Sequence, residues 1–110
     1  MRKWKARLAL SLPVLVLALP ALAQGDPNAA RGVVVEHCIA CHEVPGYKPD
    51  RARPSVEAPA FQEIADDAET YTRSRLEDFL RRPHHPMTEY LLSPRDIDNL
   101  IAFIEGLRKN

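Results

Sequence analysis

Two cysteines separated by two residues, with a histidine directly after the second, constrain this chain of 110 residues more than any other feature. Residues 38–42 read Cys-Ile-Ala-Cys-His, and the chain contains no other cysteine. A thioredoxin-like redox pair has the same spacing but lies in a βαβ pattern, and no β-rich segment flanks Cys38. A structural zinc site would need two more ligands at compatible spacing. A plain disulfide would not require His42.

The five residues as a set instead predict covalent attachment of one haem of the c type. The thiols of Cys38 and Cys41 would add to the two haem vinyl groups and form thioethers. Two intervening residues let one turn of chain reach both vinyl positions. The imidazole of His42 follows at once and would bind the iron from one side, as a proximal histidine commonly does.

The segment 82–87 offers candidates for the opposite side of the iron. It reads Arg-Pro-His-His-Pro-Met, and its two prolines restrict the backbone. Met87 is the predicted distal ligand, because the only other methionine is Met1. His84 and His85 are the alternatives, together with an open or water-bound site. A lone methionine is also a common gap-filler in an apolar core.

Residues 1–23 predict a secretory signal peptide. Basic residues come first, an apolar run follows over residues 8–19, and an Ala-Leu-Ala cleavage site ends at Ala23. The basic residues are Arg2, Lys3, Lys5 and Arg7. The alternative is a membrane anchor, but the apolar stretch over residues 8–23 is short for a span of about 20 residues and is interrupted by Pro13 and Pro20. We therefore expect export to the periplasm, a cut near Gln24, and one domain over residues 24–110 without stable membrane insertion.

The charge of the chain gives no electrostatic reason to bind nucleic acid. The 15 basic and 15 acidic residues balance, and loss of the four basic leader residues leaves 11 basic residues and a net charge of −4. One local basic cluster stands out, which either meets an acidic partner or is a solvated helix face. It consists of Arg73, Arg75, Arg81 and Arg82.

Hydrophobic periodicity predicts an all-α domain of about four helices. The first predicted helix covers residues 27–37 after the N-cap Asp26, and two more cover residues 60–68 and 72–82. A last helix begins at Pro94 after the N-cap Ser93. Proline-rich residues 43–59 predict a loop. The apolar stripes read as core and as the walls of a pocket. They consist of Leu76, Phe79 and Leu80 in the third helix and of Ile97, Leu100, Ile101, Ile104 and Leu107 in the last. Because the apolar core of so small a domain is marginal, we expect the chain to be poorly folded without its haem.

These features resemble class I (mitochondrial-type) cytochrome c, and more closely the short bacterial periplasmic monohaem cytochromes. The resemblance covers residues 24–110 and rests on the helix leading into C-x-x-C-H, the Pro-Met step and the closing helix. Its segments are Ala58-Pro59-Ala60-Phe61, Pro83-His84-His85-Pro86-Met87 and Ile97-Asp98-Asn99-Leu100-Ile101-Ala102-Phe103-Ile104. It implies the cytochrome c fold, with about four helices wrapped around one covalent haem.

The resemblance also implies a partner for the ligand histidine. In the family, a Gly-Pro-x-Leu step places a proline carbonyl against the second ring nitrogen, which fixes the orientation of the imidazole. Residues 58–61 resemble that step, so Pro59 is the candidate partner of His42, and Pro54 is the runner-up.

The family likewise crosses its first and last helices through a small residue and an aromatic one. Val34 and Phe103 are the candidate contacts in this chain. The family glycine eight residues before the first cysteine is replaced by Ala30, while Gly32 is displaced from that position. This departure leaves the details of the crossing open.

The predicted function is electron transfer by a monomer that docks weakly and transiently to redox proteins, such as a dehydrogenase, an oxidase or another cytochrome. A haem with six ligands leaves no position for a substrate. The sequence shows no nucleophile–base pair or phosphate loop, so no enzymatic activity is expected. Two alternatives stay open. One is a haem sensor that releases Met87 to bind a gas, and the other is a cytochrome subunit of a periplasmic dehydrogenase or oxidase complex.

Overall fold

A computed structural model describes Lys3 and residues 8–17, 25–82, 87 and 92–109. Every regular element in this part of the chain is helical, which confirms the all-α class there. The elements are a 3-10 turn Pro27–Ala30, α1 Arg31–Val33, a π-helical turn Val34–Cys38, α2 Phe61–Asp66, α3 Arg73–Arg81 and α4 Pro94–Gly106.

The first predicted helix is present but is not a regular α-helix. The Asp26 carboxylate caps it by accepting from the backbone N–H of Asn28 at 2.9 Å, as the N-cap prediction expects. At its other end the N–H of Ile39 donates to the carbonyl of Val34 at 3.0 Å, which spans five residues instead of four. The wider turn brings Cys38 into the core at the end of the segment.

Helix α4 is the centre of the packing. It contacts the first 3-10 turn, α2 and α3. Its N-terminus forms a reciprocal cap, since Ser93 Oγ accepts from the N–H of Asp96 at 3.1 Å and the Asp96 carboxylate accepts from the N–H of Ser93 at 3.3 Å. Its buried aliphatic side chains are Ile97, Leu100, Ile101 and Ile104. These four residues belong to the stripe that periodicity predicts.

The crossing of the N-terminal segment and α4 uses small and buried residues. Ala30 and Val34 are both fully buried. The N–H of Asp26 donates to Oδ1 of the buried Asn99 at 2.8 Å, which ties together residues 73 positions apart. The ring of Phe103 is half-buried and packs edge-on against Tyr47 and Phe61.

Helices α2 and α3 lie within their predicted spans, and both are shorter than predicted. The Thr72 hydroxyl caps α3 by accepting from the N–H of Arg75 at 3.2 Å. Of the predicted stripe on α3, Leu76 and Leu80 are buried, but Phe79 is 41% exposed. Phe79, like Leu76 and Leu80, lines the cavity described below.

Residues 43–59 form the predicted loop, without helix or strand. A turn at Gly46, with φ of 83°, needs the conformational freedom of glycine. The side chain of Val44 is buried, and the N–H of Phe61 donates to the carbonyl of Glu43 at 2.9 Å. The loop is therefore closed at its base by a backbone hydrogen bond between its two ends.

Residues 8–17 form no regular secondary structure, and their large apolar side chains are exposed. No helix in the described part of the chain combines the length and the apolar character needed to cross a membrane. The cleavage site ending at Ala23 and the expected first residue of the mature chain, Gln24, lie outside the described residues. The signal peptide stays a prediction.

Two glycines provide a matched test of the crossing with α4. A methyl group at Gly25 would collide with the backbone of Asp98, whereas a methyl group at Gly32 meets nothing within 4 Å. We expect Gly25→Ala to destabilise the matured protein by roughly 1–3 kcal/mol. Gly32→Ala should stabilise it by about 0.5–1 kcal/mol, because alanine favours a helix. Thermal unfolding of both variants measures this, and equal melting temperatures would contradict the docking of residue 25 on α4.

Candidate functional site: a cofactor cavity

A cavity of about 500 Å³ lies against the core, within the 300–1,000 Å³ that is usual for cofactor and ligand sites. Its walls are mostly apolar and come from the π-helical turn, the cysteine turn, the loop, α2, α3 and α4. The apolar wall includes Phe61, Ile64, Leu76, Leu80, Leu100 and Ile104. All five residues proposed from the sequence as haem contacts also line it. They are Cys38, Cys41, His42, Pro59 and Met87.

The two cysteines and the histidine lie on one tight turn. The carbonyl of Cys38 accepts from the N–H of Cys41 at 3.2 Å and from the N–H of His42 at 2.9 Å. These bonds fold the pentapeptide back on itself, so three chemically active side chains project toward one space. Both cysteines are free thiols. The turn therefore presents two sulfur nucleophiles and an imidazole together.

The environments of the two thiols differ. Cys38 is 3% exposed, and its sulfur lies 3.8 Å from the carbonyl oxygen of Val33. Burial raises the pKa of the Cys38 thiol to about 12, because a thiolate in that position would lose its hydration. Cys41 is partly exposed. In the folded chain the Cys38 thiol thus stays protonated at neutral pH.

The orientation of His42 is determined by a residue 17 positions later. Its Nδ1 lies 2.7 Å from the carbonyl oxygen of Pro59, the partner that the family resemblance suggested. Since a carbonyl oxygen can only accept, Nδ1 carries the hydrogen and donates it. The lone pair is then on Nε2, the nitrogen available to a metal. The runner-up, Pro54, uses its carbonyl to accept from the N–H of Val56 at 2.8 Å.

Phe61 supports the same ring from the side. The ring centroids of His42 and Phe61 are 5.2 Å apart with an interplanar angle of 55°. Phe61 is buried and follows Pro59 by two residues. The segment that supplies the carbonyl to His42 therefore also supplies the ring that packs against it. The sequence pattern assigned residues 58–61 to the family step, but it did not single out Phe61 as a neighbour of His42.

Met87 comes from a different part of the chain than the cysteine turn. It is half-buried, packs against the hydrophobic core and lines the cavity that His42 also lines. The alternative ligands His84 and His85 lie outside the described residues. A nitrogen and a thioether sulfur, from segments 45 residues apart, thus share one cavity.

This donor set fits a c-type haem. The cavity holds an imidazole whose second nitrogen is already bonded, a thioether, two thiols on one turn and apolar walls. Those are the groups that tether, ligate and enclose such a cofactor. Within the described residues, no group of three or more His, Cys, Asp and Glu side chains is arranged to hold a bare metal ion.

Two arginines of the predicted basic cluster, Arg73 and Arg75, have different surroundings on α3. The guanidinium of Arg73 pairs with the Glu105 carboxylate at 3.1 Å, while Arg75 lines the cavity and donates to the carbonyl of Thr70 at 2.9 Å. Charge counting along the sequence gave both residues the same role. They differ because they lie on different faces of α3, one toward Glu105 and the other toward the cavity.

No protein-family model, no curated protein and no solved structure matches this chain. An assignment of function therefore depends on the geometry of the cavity and on the chemistry of the residues that line it.

The packing of Phe61 on His42 can be tested against a second aromatic of the same cluster. Phe61→Ala should cost about 3–5 kcal/mol, because it leaves a void under the imidazole. Phe103→Ala should cost less, about 1–2 kcal/mol, because Phe103 is only half-buried. Denaturant unfolding of the matured variants measures both. Equal losses would contradict a special role for Phe61.

Proposed function

We propose that this chain is a small class I cytochrome c. One haem is attached through Cys38 and Cys41, and the protein carries single electrons between redox proteins. The observation that carries the proposal is the hydrogen bond from Nδ1 of His42 to the carbonyl of Pro59, in the cavity that both cysteines and Met87 line. A histidine held in this way is prepared to ligate a metal before any metal arrives.

The His42–Pro59 bond has two consequences for ligation. Donation from Nδ1 selects the tautomer with a lone pair on Nε2, and it makes that nitrogen more basic. Contact with the Phe61 ring opposes rotation of the imidazole. The chain therefore offers a single donor in a single orientation and needs little reorganisation to bind iron.

In this proposal Met87 would hold the iron through its soft thioether, together with His42. Histidine and methionine together raise the reduction potential relative to more basic ligand pairs. The apolar walls, including Leu80 and Leu100, give the cavity a low polarity. When bound, the haem supplies the one-electron chemistry. Because His42 and Met87 would both be bound to the iron, no position would be left for a substrate, so we propose a carrier without catalytic activity.

The burial of Cys38 bears on when attachment occurs. A thiolate is the reactive form of cysteine, and the folded environment keeps the Cys38 thiol protonated. Attachment would therefore precede the burial of Cys38 in the folded core. The proposal includes export to the periplasm, a leader cut near Gln24, and a monomeric domain of residues 24–110 that docks transiently to its redox partners.

The distal ligand can be tested by optical spectroscopy of the matured protein. Wild type should show the far-red charge-transfer band of sulfur bound to ferric iron, and its ferrous form should resist carbon monoxide. Met87→Ala should lose the band and bind carbon monoxide, because one axial position opens.

His84→Ala and His85→Ala are the matched controls, and both should retain the band. A wild type that lacks the band, or that binds carbon monoxide readily, would exclude Met87 and favour the gas-sensor alternative. Co-purification with a dehydrogenase or an oxidase would instead favour the subunit alternative.

Attachment and folding should fail together in the double variant Cys38→Ala/Cys41→Ala. At about 24 cal/mol per Å³, leaving a dry void of 500 Å³ would cost on the order of 10 kcal/mol, an upper bound because water can enter. That cost is comparable with the whole stability of a small domain.

Circular dichroism should therefore show little helix and no cooperative melt for the double variant, whereas wild type should retain haem after denaturation and acid extraction. Ile39→Ala, inside the same motif, is the control and should retain its haem. A double variant that melts cooperatively would contradict the role of the haem in the core.

A further inference from the structure

One edge of the cavity is polar, where the turn before α3 meets the first turn of that helix. Thr70, Tyr71 and Arg75 line the cavity there. Arg75 is the only arginine or lysine among the described residues of the lining. Its side chain is held across the turn, since its guanidinium donates to the carbonyl of Thr70 at 2.9 Å. A fixed cation thus stands at the rim of an otherwise largely apolar space.

The guanidinium of Arg75 has donors left for a ligand. An arginine carries five N–H groups in a planar fork, and only its Nη1 donates to the Thr70 carbonyl. Such a fork matches the two oxygens of a carboxylate. Arg73, two positions earlier, is engaged by the Glu105 carboxylate and does not line the cavity. The two arginines of one helix therefore have different surroundings.

The geometry points to Arg75 as the anchor of a carboxylate carried by the occupant of the cavity. This inference rests on the proposed function, under which that carboxylate is a propionate of the haem. Under that function Cys38 and Cys41 would take the two vinyl groups, so other residues of the lining would hold the propionates. Arg75 is one of those residues.

Charge favours the same role. The only acidic residue of the described lining is Glu57, which is exposed and would repel a second carboxylate. Arg75 is itself exposed, so its pairing with a carboxylate stabilises the fold little. Its larger effect would be on the reduction potential of the iron. Without the guanidinium, an uncompensated negative charge near the iron would stabilise the oxidised, more positive state.

The test is the midpoint potential of matured wild type, Arg75→Gln, Arg75→Lys and Arg73→Gln, measured by spectroelectrochemical titration at one pH and at low and high salt. Arg75→Gln and Arg73→Gln remove the same charge from the same helix. We expect a negative shift for Arg75→Gln that clearly exceeds the shift for Arg73→Gln and that persists at high salt. Arg75→Lys should restore most of the wild-type potential.

Equal shifts for the two glutamine variants, or a shift for Arg75→Gln that salt abolishes, would reduce Arg75 to a remote surface charge and overturn the inference. Haem content is measured in every sample. A wild type that takes up no covalent haem overturns the proposed function itself, and with it the role of Arg75. Normal haem content with equal shifts overturns the role of Arg75 alone.

Discussion

The structure depends above all on the packing of the other helical elements against α4. The N-terminal 3-10 turn, α2 and α3 each contact this helix. Leu100 and Ile104 of α4 also line the cavity, so the helix that gathers the chain is at the same time one wall of the site. The buried Asn99 accepts from the backbone of Asp26 and thereby satisfies a donor at the start of the N-terminal segment. A change that displaces α4 would disturb the core and the cavity together.

A second constraint is the loop of residues 43–59, which has no regular structure yet determines the orientation of His42. The loop leaves the cysteine turn and returns to it. A hydrogen bond between the N–H of Phe61 and the carbonyl of Glu43 closes its base. This closure delivers the Pro59 carbonyl to Nδ1 of His42. The prolines of the loop limit the conformations lost on folding, which makes a long irregular segment less costly to order.

The proposed cytochrome gives a common explanation for features that would be unfavourable in other proteins. A cavity of about 500 Å³ is large for a domain of this size, and a cysteine held as a buried thiol is unreactive. A covalent cofactor would fill the cavity and would convert the Cys38 thiol to a thioether. The half-exposed Phe79, which departs from the buried stripe expected on α3, lines the same space and would contact the cofactor.

The sequence by itself determined the features that depend on neighbouring residues. The caps at Asp26, Thr72 and Ser93, the positions of the helices and the shared turn of Cys38, Cys41 and His42 follow from local hydrogen bonding and helical periodicity.

The tertiary structure alone decided which surfaces meet. The Pro59 carbonyl was suggested by resemblance, but its 2.7 Å contact with His42 depends on the closed loop. Three further features left no signal in the pattern of residue types. They are the π-helical turn that ends at Cys38, the exposure of Phe79 and the different surroundings of Arg75 and Arg73. The physical reason is that these features depend on helix winding and on contacts between distant segments, which neither composition nor local spacing encodes.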